Sequence, residues 1–277
     1  MLRTGTMAAL ALALLAFAGN SLLTRAALDG GLIGAGSFSL IRLASGAVLL
    51  GGMMLAAKRN PLPSRQDLGG VVALLIYALG FSFAYLELGA GLGALLLFGC
   101  VQATTISAGF LLRERFDIRS VAGLALAGGG LVFLLRPGET APPIAAALMM
   151  MAAGSAWGAY TLLGRGAPEA TLRTARNFIG AAVLASPLLL LHDGASLTAN
   201  GALLAILSGA ITSGLGYAVW YAVLPRLSAV TAGSAQLVVP PLTALLALPL
   251  LKEPLTMDLV IASTVILGGV ALTFRRA

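Results

Sequence analysis

The feature of the chain that most restricts its fold is a succession of ten apolar stretches separated only by short polar loops. A helix of about 20 apolar residues spans the hydrocarbon core of a bilayer, and these stretches approach that length. We therefore predict an all-α, polytopic membrane protein without a separate soluble domain. The ten predicted helices cover residues 6–26, 34–57, 67–87, 91–112, 118–136, 142–164, 171–191, 200–224, 228–250 and 256–274.

The composition fits a chain that is solvated by lipid. Hydrophobic residues make up 59% of the 277 positions and charged residues 10%, whereas soluble domains carry about 25% charged residues. The net charge of +7 could suggest a nucleic-acid partner, but the sequence has no basic patch with interleaved aromatic residues, so we expect no nucleic acid. A single cysteine, Cys100, excludes an internal disulfide and a cysteine metal site. We expect no metal and no cofactor.

The second half of the chain resembles the first. The segment Phe17–Ala27 aligns with Trp157–Ala167 at an offset of 140 residues, and Leu111–Asp117 aligns with Leu250–Thr256 at an offset of 139. We therefore predict two repeats, residues 1–137 and 138–277, each with five helices. Because five is an odd number, the second repeat is inverted in the membrane, as in many carriers of small solutes.

Positive charges are distributed unequally between the predicted loops. If the N-terminus is cytoplasmic, 13 Lys and Arg residues face the cytoplasm and 3 face the other side. Cytoplasmic loops of membrane proteins carry such an excess. The sequence thus predicts a multi-pass membrane protein with both termini in the cytoplasm.

Two further motifs accompany the repeat. An arginine lies in the second helix of each repeat, Arg42 in SLIRLASG and Arg176 in RTARNFIG, and a basic residue followed by Glu closes the fourth helix of each, in LLRERFD and LLKEPLT. In these features the whole chain resembles the drug/metabolite transporter superfamily in its EamA-type, ten-helix form. Within that superfamily it is similar to the branch of aromatic amino-acid exporters.

The resemblance implies a transporter of the bacterial inner membrane, not an enzyme, that exports small metabolites and above all amino acids, including aromatic ones. Transport would proceed by alternating access, in which a central pocket opens to one side of the membrane at a time. The direction of transport is implied by the resemblance alone. The expected partners are the lipid bilayer and a small-molecule substrate, and the expected state is a monomer.

The positions of the carboxylates bear on the energy source. Every Asp and Glu falls in a loop or at the end of a predicted helix, including Glu87 at the end of the third. Because no buried carboxylate is then available to bind a proton or sodium, we predict a facilitative carrier driven by the substrate gradient. Sodium bound by backbone carbonyls is the alternative.

Polar and aromatic residues within the helices are candidates for a substrate cavity. Tyr77 and Phe81 lie four positions apart and so share one helix face, while Pro240 removes a backbone donor and frees carbonyl groups in the ninth helix. The predicted cavity residues are Asn20, Tyr77, Phe81, Gln102, Trp157, Tyr160, Gln236 and Pro240. An interfacial aromatic belt is the alternative, and it is the preferred interpretation for Tyr85, Trp220 and Tyr221.

Arg42 and Arg176 are predicted to be interior cations. Each could serve as a counter-charge for a substrate carboxylate, as a structural clamp bonded to carbonyl groups of neighbouring helices, or as a side chain that extends to the interface near one end of its helix. Their symmetric placement in the two repeats favours the clamp.

Three rival functions stay open. A drug or nucleotide-sugar carrier of the same superfamily is the nearest, although an anionic nucleotide would favour more than two cavity cations. A passive channel is the second. An intramembrane enzyme would need a buried Ser-His, Asp-Asp or metal-ligand cluster, and the sequence offers no catalytic residues of this kind.

Overall fold

The computed structural model describes residues 4–111, 118–134, 141–164, 169–190, 197–226 and 235–272. Within these ranges every regular element is helical. The main helices are α1 (Thr4–Asp29), α2 (Ala35–Ala56), α3 (Leu68–Ala84), α4 (Ala90–Leu111), α5 (Ile118–Leu134), α6 (Ile144–Gly164), α7 (Ala170–Ala185), α8 (Ala199–Val223), α9 (Val239–Leu251) and α10 (Met257–Leu272).

Six of the described helices are long and apolar enough to cross a membrane. They are α1, α2, α3 with its short 3₁₀ lead-in, α4, α6 and α8, and shorter apolar helices coincide with α9 and α10. The prediction of an all-α membrane protein is thereby confirmed. Each of the ten predicted stretches overlaps one helix, but the number of membrane crossings stays a prediction.

Some of the predicted features fall outside the described residues. The boundary between the repeats at 137 and 138, most of the basic turn in LLRERFD, and the first part of the predicted ninth helix belong to this group. Where that helix is described, α9 begins at Val239 and has Pro240 in its first turn. A missing backbone donor costs nothing there, so Pro240 starts a helix rather than breaking one near its middle.

Three turns rely on the left-handed backbone region. Gly31, between α1 and α2, has φ of 59°, while Lys58 after α2 and Lys252 after α9 have φ of 55° and 57°. A left-handed residue commonly ends a helix, because it lets the last carbonyl groups find donors. These turns reverse the chain sharply and keep successive helices antiparallel.

The packing of the helices follows a matched pattern between the two halves. Helices α3 and α4 of the first half both pack on α6, and helices α8 and α9 of the second half both pack on α1. Three further pairs join helices of equal rank in each half, namely α2 with α7, α4 with α9, and α5 with α10. This arrangement surrounds one central region with α1, α2, α3, α6 and α8.

Glycine permits the closest helix approaches around that region. A methyl group on Gly209 of α8 would overlap the backbone carbonyl of Arg42 and the hydroxyl of Ser45 on α2. Small residues bring membrane helices together in this way. The outer surface is apolar, with Val48 and Val132 at 76% and 70% exposure, as a lipid-facing surface should be.

Candidate functional site

The central region is organised around a buried arginine. Arg42 on α2 is only 1% exposed. Its Nη2 donates to the hydroxyl oxygens of Tyr77 (3.0 Å) and Tyr217 (3.1 Å), and its Nε donates to Ser213 Oγ (3.1 Å). Within the described residues no carboxylate pairs with it, and its Nη1 is buried without a hydrogen-bond partner. Arg42 is therefore a positive charge held only by neutral groups.

A polar network extends from this arginine to α1. Asn20 Nδ2 donates to the Tyr77 hydroxyl at 3.1 Å, and Tyr217 donates to the same oxygen at 3.1 Å. Asn20 Oδ1 in turn accepts a hydrogen bond from Ser208 Oγ at 2.7 Å. Because four helices contribute to the network, its geometry depends on how those helices pack.

The serines of this network come from an unusual part of α8. Residues Leu207–Leu215 form a π-helical segment within the helix. Ser208 and Ser213, five positions apart, both bond Asn20 Oδ1, at 2.7 and 3.4 Å. π-Helical segments are rare and often occur at functional sites. Here the wider turn brings three hydroxyls to one amide oxygen, since Thr212 also donates to Asn20 Oδ1, at 3.3 Å.

Aromatic rings form the walls of a central cavity beside Arg42. The cavity has room for about one water molecule and is lined by Phe17, Asn20, Ser21, Tyr77, Phe81, Leu97, Phe98, Trp157 and Tyr217. The Trp157 ring lies 4.6 Å from that of Tyr217 and 5.0 Å from that of Tyr77, measured between centroids. The Arg42 guanidinium carbon lies 5.0 Å from the ring centroids of Tyr77 and Phe81, a cation–π distance.

Ion pairs close the bundle at both ends. At one end Arg25 bonds Glu253 at 3.0 Å and the backbone oxygen of Tyr85 at 2.9 Å, and Glu253 accepts from the Ala90 amide at 2.7 Å. At the other end Arg59 pairs with Glu169. The open space of the central cavity amounts to about one water molecule. A larger solute therefore reaches Arg42 only after one end opens.

The structure brings most of the predicted cavity residues together. Asn20, Tyr77, Phe81 and Trp157 line the central cavity. Gln236 is buried behind Trp157 and accepts its indole N–H at 3.2 Å. Gln102 and Pro240 are also buried, but they are not among the described residues that line this cavity.

Tyr160 lies one layer further out. Its ring stacks on that of Trp157 with centroids 5.5 Å apart, and its hydroxyl accepts from Asn177 Nδ2 at 3.4 Å. It therefore separates the central cavity from a smaller pocket nearer the Arg59 end.

Two expectations from the sequence are wrong. Arg176 is not an interior cation: it is partly exposed near the end of the bundle, and its guanidinium bonds the backbone oxygen of Asn60 at 3.1 Å. Tyr85, Trp220 and Tyr221 do not form an interfacial belt, since all three are buried. Their rings pack on other core aromatics, as Phe81 does on Tyr85 at 4.7 Å, because small residues on adjacent helices leave room for them.

The serine ligands were not foreseen from the sequence. The stretch of sequence that contains Ser208, Thr212 and Ser213 is otherwise apolar. In an ideal α-helix, Ser208 and Ser213 would not both reach the same amide oxygen. Within the described residues, no cluster of three or more His, Cys, Asp or Glu side chains could hold a metal ion.

Comparison with known proteins identifies a transporter-family domain in the second half of the chain. Residues 144–275 match the EamA-like transporter family. The chain carries a domain of that family. An uncharacterised protein of Pseudomonas aeruginosa, PA1977, is 50% identical over 262 residues, which cover 94% of this chain and 91% of that protein. This identity puts the two proteins in one family.

A solved structure supports the fold. The crystal structure of another protein aligns with 98% of this chain and with 96% of that protein's chain. The TM-score is 0.71 and the sequence identity is 18%. Such a likeness concerns the arrangement of helices and says nothing about substrate.

Proposed function

We propose that this protein is a carrier of amino acids, including aromatic ones, in the bacterial inner membrane, and that Arg42 binds the substrate carboxylate. The observation that carries the proposal is the buried guanidinium, which has neutral ligands and one N–H group without a partner. Ionisable groups at membrane depth are costly and commonly mark a substrate or ion pathway. A carboxylate is the group that would compensate this charge best.

The walls of the cavity favour substrates with an apolar or aromatic side chain. Tyr77 and Tyr217 stand between Arg42 and the cavity, so an incoming carboxylate meets the two hydroxyls that Arg42 already polarises. A shift of either ring would free Nη2, which now donates to both hydroxyls, for the substrate carboxylate. Phe81 and Trp157 then offer ring faces to the rest of the molecule.

Alternating access accounts for the closed state of both ends. The matched helix pairs of the two halves support an arrangement of two inverted repeats, which rock against each other around a central site. The charge distribution of the loops supports a cytoplasmic location for the Arg59 end and for both termini. Export as the direction of transport follows from the resemblance to the aromatic amino-acid exporter branch.

The carboxylates support a facilitative mechanism. Of the described carboxylates, Glu253 and Glu169 are held in ion pairs at the two ends of the bundle, away from the central network. Asp67 is buried, contrary to the expectation from the sequence, but it lies at the start of α3 and bonds Ser64 there. The network around Arg42 itself consists of hydroxyl, amide and aromatic groups. Such groups do not exchange protons near neutral pH, so the substrate gradient would supply the driving force.

The test compares phenylalanine with phenethylamine, which has the same ring and ammonium group but no carboxylate. In proteoliposomes we expect wild-type protein to transport phenylalanine and to prefer it at least tenfold in kcat/KM. Arg42→Gln should lower kcat/KM for phenylalanine by about ten- to hundredfold, the value of a hydrogen bond to a charged group. It should also abolish the preference over phenethylamine. An unchanged preference in the Arg42→Gln protein would contradict the assigned role.

A further inference from the structure

A second pocket lies between the central cavity and the Arg59 end of the bundle. It has room for about one water molecule in this closed state and is lined by Tyr160, Gly164, Ala170, Arg173, Thr174, Asn177 and Tyr221. The Tyr160 ring, stacked on Trp157, separates it from the central cavity. On its other side lies an open cleft of about 450 Å³, which shares Ala170 and Tyr221 with it. The pocket thus occupies the route from the cleft to Arg42.

Two groups in this pocket lack the partners that their chemistry demands. Asn177 is 3% exposed, and its Oδ1 is buried without a donor, while its Nδ2 donates to the Tyr160 hydroxyl. Arg173, one turn earlier on α7, has no carboxylate at salt-bridge distance among the described residues. A buried acceptor left without a donor costs about 1–3 kcal/mol. The pocket therefore offers one unfilled acceptor and one cation that no carboxylate compensates.

We infer that this pocket is a second binding site, here named the outer subsite, for the zwitterionic end of an amino acid. Arg173 pairs with the carboxylate, and Asn177 Oδ1 accepts a hydrogen bond from the ammonium group. The side chain of the substrate extends into the adjoining cleft, which is large enough to take it. The choice of an amino acid as ligand rests on the proposed function, whereas the location of the subsite does not.

The surrounding side chains keep the subsite in shape. Tyr221 donates to the backbone oxygen of Tyr160 at 3.1 Å, and the two rings meet edge to face with centroids 5.8 Å apart. Thr174 bonds the carbonyl of Ala170 at 2.8 Å and so has its hydroxyl already occupied. Substrate passes from the outer subsite to Arg42 when the Tyr160 ring moves aside.

The test isolates the outer subsite by disabling the central one. Binding of labelled L-phenylalanine to the detergent-solubilised full chain is measured by equilibrium dialysis in the Arg42→Gln protein. We expect saturable binding to persist there, and Asn177→Leu or Arg173→Gln added to this background to weaken it at least tenfold. Arg176→Gln is the matched control, because it removes a neighbouring charge of α7 that bonds Asn60 instead.

Two analogues separate the roles of the residues. Asn177→Leu should weaken phenylalanine and phenethylamine but not 3-phenylpropionate, which has no ammonium group. Arg173→Gln should weaken phenylalanine and 3-phenylpropionate but not phenethylamine. An equal loss for all three ligands in either variant would mean a collapsed pocket and would overturn the assignment.

The outcomes distinguish this inference from the proposed function. If wild type binds phenylalanine and Arg42→Gln binds none, the outer subsite is overturned and the central site stands. If Arg42→Gln binds as wild type does and Asn177→Leu removes that binding, the role of Arg42 is overturned and the outer subsite stands. If size-exclusion chromatography shows that the Arg42→Gln protein does not fold, the number of phenylalanine molecules bound per wild-type chain decides. Two molecules support the inference, and one overturns it.

Discussion

The hydroxyl of Tyr77 is the most connected atom of the central network. It receives hydrogen bonds from Asn20, Arg42 and Tyr217, all at 3.0–3.1 Å. Since Arg42 has no anionic ligand among the described residues, this oxygen is a principal source of compensation for its charge. The same oxygen fixes the rotamer of Asn20, which links α1 to the serines of α8.

Tyr77→Phe tests this role with little change in volume. We expect kcat/KM for phenylalanine to fall about tenfold or more, because the variant leaves Arg42 and Asn20 each short of a partner. Stability should fall by about 1–3 kcal/mol for the same reason. Tyr85→Phe is the control, since its hydroxyl bonds the carbonyl of Ala90, at 3.3 Å, and Ser21, and not Arg42 or Asn20. An equal loss of transport in both variants would contradict a specific role for the Tyr77 hydroxyl in the central network.

Side-chain chemistry was easier to predict from the sequence than side-chain depth. The four-residue spacing of Tyr77 and Phe81 identified one face of α3, and that face does line the cavity. Arg42 and Arg176 looked equivalent in the aligned repeats, yet only Arg42 is enclosed. Arg176 lies near the first turns of α7, where a long side chain reaches a loop carbonyl. Depth in the bundle depends on where a helix begins, which the local sequence determines poorly.

The π-helical segment of α8 shows the limit of prediction for single elements. Its apolar composition predicted a helix, and a helix is present, but the wider turn over Leu207–Leu215 depends on contacts with α1 and α2. Gly209 lies within it against the backbone of Arg42. Packing between helices, rather than local propensity, therefore determines how the serines reach Asn20.

Gly209→Ala tests this packing. The added methyl group meets backbone as well as side-chain atoms of α2, so we expect a loss of about 1–3 kcal/mol from overpacking and a clear fall in Tm. Transport should fall with it, because α2 carries Arg42. Gly128→Ala on α5 is the matched control, as its methyl group would meet nothing within 4 Å. A Gly209→Ala protein as stable as the Gly128→Ala protein would refute the close contact.

The two ends of the bundle should differ in how much their ion pairs contribute. The Arg25 side chain is 14% exposed, whereas that of Arg59 is 49% exposed. An exposed ion pair contributes about 0–1 kcal/mol, so Arg59→Gln should barely change Tm. Arg25→Gln also removes donors from the Tyr85 carbonyl and Glu253, and we expect a distinctly larger fall in Tm. The opposite ranking in thermal melts would contradict this account.

The described part of the molecule combines an apolar exterior, an ion pair at each end and a polar centre. The resemblance between the halves predicts two repeats, and that organisation stays a prediction. The identity of the substrate was beyond the sequence, because no motif encodes the shape of a cavity built from five helices. Arg42, its neutral ligands and the surrounding rings are the basis on which we propose small carboxylates with an apolar side chain as substrates.

The central claim is that the protein is a carrier that alternates around an amino-acid site, and trans-stimulated exchange tests it most directly. Proteoliposomes containing wild-type protein would take up labelled phenylalanine, with unlabelled phenylalanine inside or absent, and with or without a proton gradient. The account predicts saturable uptake that rises when phenylalanine is inside and is indifferent to the gradient. Uptake that fails to saturate and ignores internal phenylalanine would contradict it and indicate a channel, and uptake that requires the gradient would contradict the facilitative mechanism.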